Sequence, residues 1–149
     1  MSLLKKIDND IKFAMKSKDA LSLESLRAVK SSILLFKTKS GSSSDLSDQD
    51  EIKILQKLVK QRKDSAEIYK NQNRLELCDT ELNQARIIES YLPKQLSPSE
   101  VSIIIDKIII KLNASSMKDM GKVMGIASKE LSGKSDGKTI SEIVKKKLM

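Results

Sequence analysis

The chain has 149 residues, 32% of them charged, and a formal net charge of +8 with no histidine. Its length suffices for one sizeable core, or for two small ones joined by a hinge. The lack of histidine removes the commonest general acid–base group, the usual serine and cysteine triads, and most transition-metal sites.

Phe13, Phe36, Tyr69 and Tyr91 are the only aromatic residues. The core must therefore be aliphatic, which suits helix-on-helix packing. No stretch reaches the ~18 apolar residues of a membrane span, so no membrane partner is expected. Asp8, Asp10 and Lys12 interrupt any apolar run near the start, which argues against a secretory signal. Cys78 is the only cysteine, so no internal disulfide is possible. That fits a reducing cytosol, and the expected location is cytoplasmic. Cys78 falls on an apolar helical stripe and reads as core filler rather than as a reactive thiol.

The elements follow in chain order. Leu4, Ile7, Ile11 and Met15 recur at the helical period and predict a first helix over Leu3 to Ser17. Asp19 caps a second, with Leu23, Leu26, Val29, Ile33 and Phe36 in step. It runs out in Ser40-Gly41-Ser42-Ser43-Ser44, a flexible loop by composition. Ser47 opens a third helix, with Asp50 three residues on as in a capping box. Its apolar positions are Ile52, Leu55, Val59, Ala66 and Tyr69, and Lys53 to Lys63 make its other faces basic. Asn71-Gln72-Asn73 ends it. A fourth helix carries Leu75, Cys78, Leu82, Ala85, Ile88 and Leu92.

Pro93 stops that helix, because the residue before a proline is pushed out of the α region. Ser97-Pro98-Ser99-Glu100 then combines a cap, a pre-organised first residue and a glutamate that reaches back to the cap amide. The two prolines place a boundary between an N-terminal helical subdomain, 1–92, and a C-terminal one, 97–149. Ile103-Ile104-Ile105 and Ile108-Ile109-Ile110 follow. Such runs also suit buried strands, but the marked start and Asp106-Lys107 in their midst favour a fifth helix over Pro98 to Leu112. Apolar surface on more than one side suggests that this helix is central to its subdomain.

Ser115 or Ser116 caps a sixth helix with a seam of Met117, Met120, Met124, Ala127 and Leu131. Gly121 and Gly125 lie on a neighbouring face. Each glycine costs ~1 kcal/mol against alanine inside a helix, so a pair implies a compensating close approach. Packing of another helix of the same subdomain is the preferred reading, and approach of a ligand backbone is the alternative. Gly133 suits a left-handed C-cap. Asp136 caps a last helix with Ile140, Ile143, Val144 and Leu148, ending in Lys145-Lys146-Lys147. The expectation is an all-α protein of two small helical subdomains, about four helices and then about three.

No catalytic constellation stands out. Gly133-Lys134-Ser135 ends like a phosphate-binding loop, but Ser128 stands where its opening glycine is needed and no strand precedes it. Asp48 with Glu51 and Asp64 with Glu67 are ordinary surface spacings. No catalytic, cofactor-binding or metal-binding residue is assigned, and the chain reads as a non-enzyme.

Charge is uneven. Residues up to Leu92 hold 17 basic and 14 acidic side chains, a net +3, whereas Pro93 onward holds 11 and 6, a net +5 over a much shorter span. Such an excess attracts polyanions, or merely keeps helices soluble.

Three stretches carry a family resemblance: Lys60-Gln61-Arg62-Lys63-Asp64-Ser65; Glu89-Ser90-Tyr91-Leu92-Pro93 with Gln95-Leu96-Ser97; and Ala114 through Lys118-Asp119-Met120-Gly121-Lys122 to Gly125, continuing to Asp136-Gly137-Lys138. Together they resemble the YqeY (GatB/YqeY-like) family, which is similar to the C-terminal region of the B subunit of glutamine-dependent aminoacyl-tRNA amidotransferase. Asn83-Gln84 departs from the more acidic pattern of such proteins. The resemblance implies two helical subdomains and a tRNA-contacting role, with the carbon–nitrogen ligase chemistry residing in other domains and subunits. The matching positions able to face RNA are Lys118, Lys122, Lys134 and Lys138.

The leading expectation is a non-catalytic accessory protein that binds tRNA or other structured RNA. The alternative is a helical protein-interaction adaptor, for amidotransferase subunits or another translation-linked partner. A helix-turn-helix reader of DNA fits less well, because Lys138, Thr139 and Ser141 on the last helix make poor base-reading material. The C-terminal part has no aromatic residue to stack on bases, so shape and phosphates are what it would recognise.

Overall fold

A computed structural model describes residues 2–41 and 46–149. Among them the chain is all-helical, with no strand: α1 (Leu3–Lys16), α2 (Ala20–Ser40), α3 (Asp48–Asn71), α4 (Leu75–Glu89), α5 (Pro98–Leu112), a 3-10 turn (Met117–Asp119), α6 (Met120–Glu130) and α7 (Gly137–Leu148). The chain divides into two compact units, Met1–Leu92 and Pro93–Met149.

Local chemistry sets the helix ends of the first unit. Ser2 accepts from the Lys5 amide, Asp19 from Ser22 and Ser47 from Asp50, each oxygen satisfying an amide that has no partner in its first turn. Gly41 closes α2 in the left-handed region, at φ 65°. Ser40, expected at the start of a loop over Ser40 to Ser44, is still helical, and Ser42, Ser43 and Ser44 lie outside the described residues. Asn73, at φ 58°, turns the chain between α3 and α4.

Ile7, Val29, Ile33, Leu55 and Ile88 form the heart of this unit, with Leu58, Val59 and Ala85 around them. Full burial of each such side chain contributes roughly 1.5–3 kcal/mol. The α1 stripe is rotated from its expected position. Leu3 and Ala14 are buried, while Met15 is 56% exposed. Cys78 is buried, as core filler should be.

The second unit opens with a complete capping box. The Ser97 hydroxyl accepts from the Glu100 amide, and Glu100 Oε1 accepts from the Ser97 amide. Asn113 ends α5 in the left-handed region. Val101, Ile105 and Ile108 of α5 meet Val123, Ala127 and Leu131 from the α6 segment and Ile140, Val144 and Leu148 of α7. Leu96 packs on this core, and its amide donates to the Lys134 carbonyl at 2.9 Å.

Two expectations fail in this unit. The fifth helix is not surrounded by its own subdomain, for Ile103 and Ile110 are 56% and 78% exposed. The sixth begins as a 3-10 turn, because the Asp119 carboxylate accepts from the Ser115 amide and tightens the entry. Met117 consequently lies outside the core, and Val123 replaces it as a buried position.

Candidate nucleic-acid interface

The four lysines singled out by the sequence are all exposed. Lys118 sits in the 3-10 turn, where its amide donates to the Ser116 hydroxyl. Lys122 follows in the first turn of α6. Lys134 lies in the connection after α6, and Lys138 in the first turn of α7, behind the Asp136 cap that accepts from Thr139. The fold therefore groups them as two pairs. The eleven residues of α6 extend for ~16 Å, with Lys118 and Lys122 at its start and Lys134 and Lys138 beyond its end.

Acidic side chains leave this surface largely uncompensated. Glu100, Asp119 and Asp136 accept backbone amides at helix starts. Asp106 is held by Lys147 at 2.6 Å. Among the described residues, Lys147 is the one lysine of this unit in an ion pair, and the other ten are exposed. Glu130 and Glu142 are exposed and offset part of the charge, which leaves the unit's net +5 as a positive excess.

Between the two pairs runs a face that sequence reasoning misread. Gly121 and Gly125 are exposed, and a Cβ built on either meets no atom within 4 Å. The expected packing of a neighbouring helix against them does not occur, because Val123, Ala127 and Leu131 hold α6 to the core by its opposite side. Ser128 continues the small-residue ridge, and Lys129 lies one edge over from it, in line with Lys122. Lys129 was missed. Its seven-residue spacing from Lys122 was the available signal.

Among the described residues no group of three or more His, Cys, Asp or Glu side chains is placed to hold a metal ion. No helix of the described chain is long and apolar enough to cross a membrane.

The chain is similar to three proteins that bear the name altered inheritance of mitochondria protein 41, mitochondrial. To that of Meyerozyma guilliermondii it is 38% identical over 92 residues, covering 60% of this chain and 46% of the relative. To that of Kluyveromyces lactis it is 36% identical over 141 residues, covering 90% and 69%. To that of Clavispora lusitaniae it is 28% identical over 130 residues, covering 87% and 74%. The chain thus spans less than half of the first relative and about seven-tenths of the other two. These names overturn the cytoplasmic expectation. It rested on a single cysteine, and a lone buried thiol suits any compartment that keeps thiols reduced.

The family model described as Yqey-like protein matches residues 4–148, almost the full length, and so takes in both helical units and the exposed lysines alike; the chain belongs to the YqeY family.

Proposed function

We propose that this protein is a non-catalytic accessory factor that binds structured RNA, tRNA foremost, through its C-terminal unit. The observation that carries the reading is the open Gly121–Gly125 ridge edged by Lys122 and Lys129. Gly125 in mid-helix and, to a lesser degree, Gly121 in the first turn of α6 cost stability, and among the described residues no atom packs against either to repay it. A ribose–phosphate backbone laid along the ridge gains close approach from the glycines and charge pairing from the lysines. With no aromatic residue after Tyr91, recognition runs through shape and phosphates rather than through stacked bases. The resemblance to the tRNA-contacting region of the amidotransferase B subunit points the same way.

The test is tRNA binding by the full chain across a salt series. Affinity should fall by ~0.7 to 0.9 log units per log unit of salt for each phosphate contact. Changing Lys118, Lys122, Lys134 and Lys138 together to Glu should weaken binding and flatten the slope, with the helical spectrum intact. The same change at Lys53, Lys57, Lys60 and Lys63 controls for bulk charge. Equal losses in both variants would reduce the interaction to generic polyanion attraction. No binding by the wild type in low salt would dismiss the RNA reading.

A further inference from the structure

The isoleucine runs of α5 have a use that the core does not absorb. Val101, Ile105 and Ile108 face inward, whereas Ile103 and Ile110 point outward at 56% and 78% exposure. Single exposed apolar residues are ordinary. These two stand seven apart on one stripe, ~10 Å along the axis, at positions where β-branched side chains give a helix nothing in return. That spacing is how one helix presents anchors to another.

The charges beside the stripe select the partner. Lys107 and Lys111 lie along one flank, both exposed. On the other flank Asp106 is neutralised by Lys147. That ion pair also brings the last turn of α7, with exposed Lys145 and Lys146, against α5. Glu100, at the head of the stripe, is engaged in the capping box. We propose that the outer face of α5 docks an acidic amphipathic helix of a partner protein, its apolar side on Ile103 and Ile110 and its carboxylates on the flanking lysines. Nucleic acid would use the lysines and leave the isoleucines in water. Two isoleucines are scant apolar area for a lipid surface.

The experiment titrates the full chain into a fluorescein-labelled peptide of about 18 residues, long enough to hold a helix. The peptide has leucine at every third or fourth position and glutamate around them, and a matched peptide carries lysine for glutamate. Fluorescence anisotropy should show the acidic peptide binding and the basic one not. Ile103→Gln with Ile110→Gln should weaken the acidic peptide by at least ~10-fold, from the apolar area lost. Lys107→Glu with Lys111→Glu should do likewise, both pairs keeping the wild-type circular dichroism. The four-lysine variant used for the RNA test should still bind the peptide, which separates this surface from the RNA reading. Failure of the acidic peptide to bind, equal binding of both peptides, or indifference to the isoleucine change would overturn the proposal. So would loss of tRNA binding, of anionic-vesicle binding or of self-association in the isoleucine variant, since each assigns the face to another occupant.

Discussion

The Tyr91 hydroxyl donates to the Asp10 carboxylate, joining the end of the first unit to its first helix across 81 positions of sequence. Lys6, one turn before Asp10 on α1, places its ammonium 5.2 Å from the centroid of the same ring. One phenol thus meets an anion at its tip and a cation over its face, and α1 is held at both contacts.

Replacing Tyr91 with Phe should lower the stability of the full chain by about 1 kcal/mol, a modest figure because the pair is only part-buried. Burial, the hydrogen bond to Asp10 and the charge of Asp10 all raise the Tyr91 pKa above its ordinary value, which is near 10. The folded protein therefore keeps a proton that the unfolded chain releases. The stabilisation is complete below pH ~10 and is lost as pH rises above it. Urea midpoints at neutral and at strongly alkaline pH check this: the gap between wild type and Tyr91→Phe should narrow on the alkaline side. A constant gap would mean that the phenol proton is not involved.

The Ser97 capping box should matter more than its exposure suggests, because it starts the helix on which Val101, Ile105 and Ile108 are mounted. Ser97→Ala is expected to cost ~1 kcal/mol, and Ser97→Gly a few tenths. Denaturant midpoints that do not move would show that Pro98 alone sets the start.

What could be read in advance followed from how local the cause is. Ser47, Asp19, Ser97 and Asp136 were legible as caps because a cap involves one side chain and an amide two or three residues away. The aliphatic stripes of α2 and α7, and that of α4 apart from Leu75, which is 57% exposed, were legible because periodicity survives without knowledge of the partner. The isoleucine runs were not, since which flank of α5 is covered depends on how many helices the unit supplies. With only α6 and α7 to pack on it, Ile103 and Ile110 stay outside. The glycine pair shows the same limit. Sequence says that something needs room beside Gly121 and Gly125, and only the fold says that it is no helix of this unit.

Fragments should show where the second unit starts. Leu96 packs on the core, its backbone amide reaches the Lys134 carbonyl, and the Gln95 side chain donates through Nε2 to the Gly133 carbonyl at 2.6 Å. A fragment of residues 93–149 keeps these contacts and one of residues 97–149 loses them. The longer fragment should melt roughly 8–16 °C higher by circular dichroism, the shift that about 1–2 kcal/mol gives a domain of this size. Identical melting would make the Gln95–Leu96 contacts incidental. Neither is expected to be very stable, at ~50–60 residues.

The glycine ridge offers a test in which stability and binding move in opposite directions. A methyl added at Gly121 or Gly125 meets nothing within 4 Å, and neither residue has a positive φ. Alanine should therefore stabilise α6, by up to ~1 kcal/mol at Gly125 in mid-helix and by less at Gly121 in the first turn. The double variant should raise the urea midpoint. If an RNA backbone lies on the ridge, the same two methyls hold it away from the helix and tRNA affinity falls. The lysines are untouched, so the salt slope should stay at its wild-type value, unlike that of the four-lysine variant. Greater stability, weaker binding and an unchanged slope together mark a surface kept bare for a ligand at the expense of the fold. Greater stability with unchanged affinity would remove the ridge from the interface and leave RNA contact to the lysines alone.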